Sequence, residues 1–257
     1  MLNFRNTSIF IVVLLLLLAL LNIRFDIPVY FYVMPVLLYS LIIFYGSYYI
    51  GSNFFMKVLC AGNTNARQIA ISFDDGPAKE YTSAILEVLK KNNVPAAFFC
   101  IGKHIAGKED LLHRLIADGH IIGNHSYSHH FWFDMFSAKK MQADIQLMSE
   151  TVNSNTGLQP KLFRPPYGVT TPNMRKVMDN TGYLAVGWNI RSMDTLIKDE
   201  NKLLQKITGV LKPGAIILLH DTSKVTVSIL QQLINEAHDK GYEFVRLDKL
   251  LNVAPYA

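Results

Sequence analysis

Hydrophobic residues dominate the first 50 positions of the chain. Residues 9–21 form an unbroken apolar run, and residues 27–50 form a second long stretch without a charged side chain. At about 1.5 Å of rise per residue, a helix over the second stretch easily crosses the roughly 30 Å hydrocarbon core of a bilayer, while the first is barely long enough. The pattern predicts a two-helix transmembrane hairpin, with helices over about 8–23 and 27–50.

A secretory signal is the competing interpretation of the first apolar run, because the run is short and follows Arg5. No A-x-A-like cleavage site follows it, and the short polar stretch 22–26 leads directly into the second apolar segment. The tyrosines of that segment lie mostly toward its ends, where amphipathic rings suit the headgroup region. These features favour an uncleaved hairpin over a cleaved signal or a pair of buried core helices.

The pattern changes at about residue 68, where short β-rich runs begin to alternate with amphipathic segments. Seven runs are apolar enough to be covered on both faces, as parallel strands are: QIAISF, PAAFFCI, GHIIGNH, KLFRPP, YLAVGW, AIILLH and YEFVRL. The helix candidates are 80–91, 108–118, 138–156, 172–181, 200–211 and 225–240, several of them followed by a glycine suited to a left-handed C-cap. This alternation predicts an α/β fold, a distorted or incomplete (β/α) barrel of about seven parallel strands.

The division of the chain follows from these patterns. We expect a membrane-anchoring region over residues 1–66, ending in a short linker rich in Gly, Asn and Thr, and a catalytic domain over residues 67–257. The formal net charge is +5, but the Lys and Arg residues are scattered among acids, so nucleic acid is not an expected partner. Cys60 and Cys100 are too few to indicate a disulfide framework.

Polar clusters follow the predicted strands in a regular way. SFDDGP follows the first strand, HSYSHH the third, RPPYG the fourth, Asp194 the fifth, and an His-Asp pair the sixth. In a parallel α/β barrel the loops after the carboxyl ends of the strands converge on one face, where the chemistry is concentrated. The placement predicts that these clusters form a single active site.

His125 and His129 are candidates to bind a metal ion. They are four residues apart, so on a helical turn both rings would project from one face. Surface histidines also recur at this spacing by chance. Asp74 and Asp75 strengthen the metal interpretation over a solvated Asx turn, because one carboxylate can bind a cation while the other faces the substrate. Two histidines and one aspartate leave coordination positions open, as in catalytic zinc sites.

His220 ends the apolar run AIILLH at the same predicted face of the barrel. A hydrolysis that releases an amine requires an acid to protonate the departing nitrogen, and an imidazole that titrates near neutrality suits this role. The alternative is an exposed histidine at the start of a helix that Asp221 caps. The other clusters favour the catalytic interpretation.

Together these motifs resemble those of the NodB-homology polysaccharide deacetylases, carbohydrate esterase family 4, over roughly residues 68–250. SFDDGP is similar to the family motif T-F-D-D-G-P, which implies that Asp74 is the general base and Asp75 a metal ligand. HSYSH is similar to the motif H-S/T-x-x-H, which implies that His125 and His129 are the other protein ligands. The resemblance implies a divalent metal, for which zinc is the expected ion.

Two further motifs imply the remaining roles. RPPYG is similar to R-x-P-x-G, which implies that Arg164 orients the catalytic aspartate and that Tyr167 supplies a backbone N–H to the oxyanion. IILLH is similar to the motif that provides a pocket-lining leucine, Leu218, and the catalytic acid His220. With a fifth motif around Asp194, these motifs in the family's order make the resemblance specific.

One motif departs from the family pattern. Many members have Asp-x-x-Asp-Trp, whereas this chain has Arg191, Asp194 and Thr195 at those three positions. Asp194 keeps the acid that supports the catalytic histidine. Because the changed residues would line the substrate groove, the departure concerns the substrate more than the chemistry. Trp188 is either a sugar-stacking surface or, as the simpler interpretation, a core aromatic at a strand end.

The resemblance implies a metal-dependent hydrolase that removes N-acetyl or other N-acyl groups from amino sugars of a glycan. Its expected partners are an N-acylated amino-sugar glycan or lipid-linked sugar, and membrane lipid through the hairpin. Two alternatives stay open. In the first, the enzyme deacylates or deformylates a small or lipid-linked amino sugar. In the second, the protein is an inactive, membrane-tethered sugar-binding module.

A two-helix hairpin places the amino terminus and the catalytic domain on the same side of the membrane. Counting the basic residues near the helix ends slightly favours a cytoplasmic domain. Polymeric glycans, however, normally lie outside the cytoplasmic membrane. On that functional ground we expect a multi-pass membrane protein with an extracytoplasmic catalytic domain.

Overall fold

The computed structural model describes residues 2–257, and its first two helices pair as a hairpin. Helix α1 spans Phe4–Asn22 and helix α2 spans Tyr30–Tyr48. The Ser8 and Tyr39 hydroxyls lie 2.7 Å apart, and the Tyr32 hydroxyl donates to the carbonyl of Leu18. Most side chains of both helices have no protein partner, and each helix is long and apolar enough to cross a membrane, a test that a signal sequence also passes.

A parallel sheet of eight strands forms the centre of the region that follows. In residues 2–257 the strands are β1 Gln68–Asp74, β2 Ala96–Cys100, β3 Ile121–Asn124, β4 Leu162–Phe163, β5 Leu184–Ala185, β6 Ile190–Arg191, β7 Ile216–His220 and β8 Glu243–Phe244. Their order is β5-β4-β3-β2-β1-β7-β6, and β8 pairs with β1. The sheet curls into an incomplete barrel, which confirms the predicted fold class. All seven predicted strands are present, and β6 is an additional one.

Helices connect the strands as the hydrophobic pattern predicts. They are α3 Lys79–Lys91, α4 Glu109–Ala117, α5 Ala138–Thr156, α6 Pro172–Thr181, α7 Glu200–Thr208, α8 Lys224–Asp239 and α9 Leu247–Leu251. Only the short α9 has no counterpart in the predicted set. Gly157 and Gly182 adopt φ values of 72° and 73° directly after α5 and α6, so each ends its helix in the left-handed conformation that glycine permits.

The core explains why the central strands are apolar along their whole length. Every residue of β2 is buried, and so is every residue of β1 after Gln68. Phe73 and Phe98 stack with ring centres 4.9 Å apart between neighbouring strands. One face of these strands packs against the surrounding helices, and the other packs against neighbouring strands and α9 inside the incomplete barrel, so both faces are covered. The centre of the sheet is therefore rigid, and it holds the ends of the strands in place.

The chain between the hairpin and β1 packs against the domain. We call residues 49–62 the root segment. Its Ile50 lies in a buried cluster with Phe133 and Phe163, and Leu59 forms a parallel bridge with Val186. The linker expected after residue 60 is fixed at its start, because the N–H of Gly62 donates to Gly214. The hairpin is thus joined to the domain through packed structure.

Candidate active site

An open cleft lies at the carboxyl ends of the strands, where the sequence placed its polar clusters. Seven of the nine predicted site residues line it, and Arg164 and Asp194 are buried beneath its floor. The lining residues are Asp74, Asp75, His125, His129, Pro165, Tyr167, Gly168, Trp188, Arg191, Met193, Thr195, Leu218 and His220. The topology therefore brings together residues that are up to 146 positions apart in the sequence, as the span from Asp74 to His220 shows.

Three of these residues form a group suited to a metal ion. Asp75 Oδ1 lies 3.5 Å from Nε2 of both His125 and His129, and the three ligand atoms lie within 4.8 Å of one another. Ligands that surround a zinc ion tetrahedrally, about 2.0–2.1 Å from it, lie about 3.3 Å apart. The separations thus fit a small divalent ion with an Asp-His-His set.

The other ring nitrogen of His125 supports the same interpretation. His125 Nδ1 lies 2.8 Å from the carbonyl oxygen of Arg164. A carbonyl can only accept, so Nδ1 carries a proton, and Nε2 on the side of Asp75 is the ring nitrogen left for a metal ion. A metal-binding histidine is typically oriented by a hydrogen bond of this kind. The backbone at Arg164 therefore fixes both the tautomer and the direction of the His125 ring.

The charges of the group are strongly coupled. Burial opposes ionisation of Asp75, but the hydrogen bond and charge of His125 hold the pKa of that carboxyl below its ordinary value. Burial likewise disfavours the protonated form of His125, yet Asp74 and Asp75 raise the pKa of its ring. For His129, burial and the neighbouring His125 lower the pKa to about 4. His129 is therefore neutral at pH 7, as a metal ligand must be.

The histidine motif adopts a conformation that the sequence did not predict. We expected a helical turn, but residues 125–130 form an irregular loop in which Ser126 and His129 have φ values of 66° and 42°. The carboxylate of Asp144 on α5 accepts the backbone N–H groups of Tyr127 and Ser128. The helical-turn prediction was wrong because these side-chain bonds replace the intrahelical ones. The two rings still converge, with centres 4.9 Å apart.

Asp74 lies at the end of β1 and is held from below. Arg164 Nη1 donates to Asp74 Oδ1 at 2.7 Å and to the Ser72 hydroxyl at 2.9 Å, and Arg164 is completely buried. Its remaining donors reach the carbonyls of Val186 and Gly187. Each of the three nitrogens of the buried cation therefore has a partner. Because Arg164 holds Oδ1, the other carboxylate oxygen of Asp74, Oδ2, is directed toward the cleft, 3.8 Å from His125 Nε2.

A second buried acid holds His220. Asp194 Oδ1 accepts from His220 Nδ1 at 2.7 Å and from the Ser192 hydroxyl, while Oδ2 accepts from the His220 backbone and the Thr226 hydroxyl. Burial disfavours the charged imidazole, but the hydrogen bond and charge of Asp194 outweigh it and raise the pKa of His220 from 6.5 to about 9. His220 is thus protonated at neutral pH and oriented as a proton donor.

The remaining predicted residues form the walls of the cleft. Tyr167 packs edge-on against His129, with ring centres 4.8 Å apart, and Leu218 lies on β7. Trp188 lines the cleft rather than filling the core alone, and the guanidinium groups of Arg164 and Arg191 lie 5.6 and 5.9 Å from its ring centre. The segment that departs from the family pattern therefore faces the substrate space.

Unusual backbone conformations are concentrated around this cleft. In residues 2–257, eight non-glycine residues have positive φ, and four of them line the cleft: Asp75, His129, Tyr167 and Met193. Residues with side chains pay an energetic cost for this conformation, which the surrounding structure must impose. The rigid strand ends therefore hold the site in a geometry that local sequence preference would not produce.

Several supporting residues could not be identified from the sequence. Ser72, Asp144, Ser192 and Thr226 position the predicted residues through hydrogen bonds. Ser72 alone carried a signal, since it is a polar residue within the apolar run IAISF. Thr226 and Asp144 lie on helices far from the motifs they support, so no local pattern marks them.

Known proteins share these features. A family model described as polysaccharide deacetylase matches residues 61–186. The peptidoglycan-N-acetylmuramic acid deacetylase PdaA of Bacillus subtilis is 34% identical over 194 residues, covering 74% of this chain and 73% of that protein. The peptidoglycan-N-acetylglucosamine deacetylase PgdA of Listeria monocytogenes is 32% identical over 73% of this chain, which spans only 39% of that relative.

A solved structure agrees with these matches. The chain is similar to the Bc1960 peptidoglycan N-acetylglucosamine deacetylase, crystallised with a hydroxamate-type benzamide, at a TM-score of 0.74 and 29% identity. The similarity covers 78% of this chain and 95% of that one. The uncovered part of this chain is of about the size of the hairpin and part of the root segment.

Proposed function

Because the chain belongs to the polysaccharide deacetylase family, we propose that it is a metal-dependent hydrolase that removes N-acetyl groups from the amino sugars of a glycan. One observation carries the proposal. A three-residue metal group, a carboxylate held by a buried arginine and a protonated histidine held by a buried acid face one cleft. These are the parts that hydrolysis of an amide requires.

Two side chains, Asp74 and His220, carry the two proposed proton transfers. Asp74 accepts a proton from the attacking water, and its bond to Arg164 keeps the accepting oxygen directed into the cleft. His220 donates a proton to the departing amine, and Asp194 stabilises the charged ring until then. The backbone N–H of Tyr167 is proposed to donate to the developing oxyanion.

Asp75, His125 and His129 are the residues proposed to hold the metal, and zinc is the proposed ion because the set contains two imidazoles and one carboxylate. When bound, a divalent ion lowers the pKa of water and polarises an acyl oxygen. The positive charge of a bound ion would also favour the ionised form of Asp75, which the neighbouring histidines already favour.

The hairpin is proposed to anchor the enzyme in a membrane as two transmembrane helices, with residues 67–257 forming an extracytoplasmic deacetylase domain after an anchoring region of residues 1–66. The exposed apolar surface of α1 and α2 supports this proposal. A compartment-sensitive reporter fused to the carboxyl terminus tests the side. Activity of a reporter that functions only in the cytoplasm would reverse the assignment.

Acetate release from peptidoglycan fragments and chitooligosaccharides, with and without chelator, tests the proposed reaction. We expect release that chelator abolishes and added zinc restores. Formate or a longer acid released from a small or lipid-linked amino sugar, with no acetate, would favour the deacylase alternative. If the zinc-loaded protein released no acid from any of these substrates, and Asp74→Asn bound the sugars as the unaltered chain does, a sugar-binding module would be the better description.

A further inference from the structure

Three large apolar side chains project from the loop that follows the histidine motif. Phe131, Trp132 and Met135, which we call the apolar loop, are 68%, 55% and 70% exposed. Phe131 and Trp132 pack edge-on with ring centres 4.7 Å apart. The other large apolar residues exposed in residues 60–257 are separated in sequence from one another. A cluster of this kind on a domain surface indicates an interaction site.

The apolar loop is held in its outward position. Phe133, between Trp132 and Met135, is completely buried, and its ring centre lies 5.5 Å from that of Phe136 and 6.5 Å from that of Phe163. The loop therefore has an inner side fixed in the core and an outer side that presents the three exposed side chains. Pre-ordered apolar groups lose little entropy when a partner covers them.

The apolar loop lies on the side of the domain where the hairpin joins it. Phe133 and Phe136 belong to the same buried cluster as Ile50 and Met56 of the root segment. Phe136 also accepts a hydrogen bond from Asn173 in the first turn of α6. The apolar loop and the base of the hairpin thus share one packed unit.

Tyr167 gives a second connection between the cleft and the hairpin. Its ring centre lies 6.3 Å from that of Phe131. Thr170, three residues later, donates its N–H to the carbonyl of Ser47 in the last turn of α2. Three residues span at most about 11 Å, so the mouth of the cleft lies close to the end of the hairpin.

Basic residues surround the base of the hairpin. Arg5, Lys57 and Arg175 line one groove there, together with only neutral residues. Lys139 and Lys140 are exposed just beyond the apolar loop. Exposed cations beside a membrane helix attract anionic headgroups, and tryptophan and other aromatic residues prefer the same interfacial depth. Lys140 lies over the ring of Phe136, which shares a buried cluster with Ile50 and Met56 of the root segment, so both kinds of residue lie near the base of the hairpin.

We propose that the apolar loop inserts into the interfacial layer of the membrane that the hairpin spans, with the surrounding cations against anionic headgroups. This inference rests on the proposed membrane placement of the hairpin. The cleft then opens at headgroup level, beside Tyr167, so its substrates are amino sugars carried at the bilayer surface. A glycan stacked on Phe131 and Trp132 is the rival occupant.

Quenching of Trp132 fluorescence tests the proposal, because the chain has only two tryptophans. The full-length Trp188→Phe variant is reconstituted in vesicles of phosphatidylcholine and phosphatidylglycerol, with or without brominated acyl chains. We expect bromine to reduce the emission at least twofold. The control is the variant Trp132→Phe/Trp188→Phe/Val210→Trp. Val210 is 54% exposed, but it lies between α7 and β7, at the ends of the strands opposite the cleft. Its emission should be unaffected.

The possible results separate the inference from its premise. If Trp132 is quenched no more than the tryptophan at position 210, the inference is wrong, and a change in its emission on adding chitooligosaccharide would assign the loop to the glycan. If alkaline carbonate releases the protein from the vesicles, the membrane placement itself fails. If Trp188→Phe does not fold, the unaltered chain and Trp132→Phe are compared instead. The difference in quenching between these two proteins is the quenching of Trp132.

Discussion

Asp74 is the residue on which the proposed reaction depends most directly. Replacing it with asparagine removes the proton acceptor while keeping the side-chain shape and the oxygen that Arg164 contacts. We expect acetate release to fall by about 10²–10⁴-fold, the range for loss of a general base. Metal content measured by elemental analysis should stay at the level of the unaltered chain, because Asp75, His125 and His129 remain.

Asp110→Asn on the exposed start of α4 serves as the matched control and should retain full activity. An Asp74→Asn enzyme that kept more than a tenth of the activity would show that another group accepts the proton.

His220 should determine the alkaline limit of activity. Its pKa of about 9 exceeds the ordinary value of 6.5, so the acid form is present at neutral pH and is lost as the pH rises through about 9. In Asp194→Asn the negative charge that raises this pKa is absent, so the alkaline limb of the rate profile should move to lower pH. Thr226→Val removes one hydrogen bond to Asp194 but keeps its charge and its bond to His220, so it should not move the limb to lower pH and serves as the control.

The profile of acetate release between pH 5 and 10 measures these shifts. The same pair contributes to folding stability below about pH 6.5, and this contribution disappears as the pH rises through 9. An alkaline limb that stayed in place in Asp194→Asn would remove His220 from the role of acid.

Arg191 is the residue where this chain departs most from the family pattern. Its guanidinium lies over the Trp188 ring and lines the cleft. Arg191→Gln should therefore raise KM for glycans that carry carboxylates by roughly 10-fold, the effect of losing one charge-assisted bond. Comparing neutral and anionic oligosaccharides measures this, and an equal change for both would argue against charge recognition.

Among the elements, the root segment is expected to matter for stability more than the hairpin. A chain that begins at residue 49 keeps the buried side chains of Ile50, Met56 and Val58, whereas one that begins at residue 63 loses them. Each buried apolar side chain contributes about 1.5–3 kcal/mol, and a domain is typically stable by only 5–15 kcal/mol.

We expect the first variant to unfold within a few degrees of the full chain in detergent, and the second to unfold at least 10 °C lower or to aggregate. Thermal unfolding followed by circular dichroism measures the difference. Equal melting temperatures would mean that the root segment is an ordinary linker.

The strands and helices show what periodicity can predict. The seven long apolar runs became strands and the six amphipathic segments became helices, because burial on two faces or on one leaves a clear pattern. The two-residue strand β6 carries no such pattern and exists because Ile190 pairs with Ile217 of β7. The loop at His125 was mispredicted for a related reason, since Asp144 on a distant helix determines its conformation.

The motifs predicted which residues meet in the cleft, but they predicted the local geometry of those residues less well. Asp74 and His220 are the last residues of adjacent strands and pair with each other, so strand-end placement was enough to bring them together. The buried partners of Asp194 and the contact of Ile50 with the sheet depend on tertiary packing, which leaves no mark on neighbouring residues in the sequence.

For the whole molecule, metal should stabilise a fold that already exists without it. The core does not include the metal group, so removal of the ion with chelator should abolish activity while the circular dichroism spectrum is retained. At a free concentration 100 times its Kd, a bound ion adds about 2.7 kcal/mol to the free energy of unfolding. The melting temperature should rise when zinc is added back to the chelated protein.

This stabilisation should weaken as the pH falls, because protons compete for the histidines and Asp74 and Asp75 raise the pKa of His125. His125→Ala/His129→Ala is the control and should show no zinc-dependent shift. A similar shift in that variant would place the bound ion elsewhere.

The packed root segment has a consequence for how substrate is found. The N–H of Gly187 donates to the carbonyl of Leu59, and its carbonyl accepts from Arg164, so the root segment and the catalytic floor are two hydrogen bonds apart. With the proposed anchoring, the domain cannot swing as it would on a flexible tether. Diffusion in the plane of the bilayer then delivers the cleft at one height and in one orientation. Acetylated sugars at that height experience a high effective concentration of enzyme, and sugars farther away experience almost none.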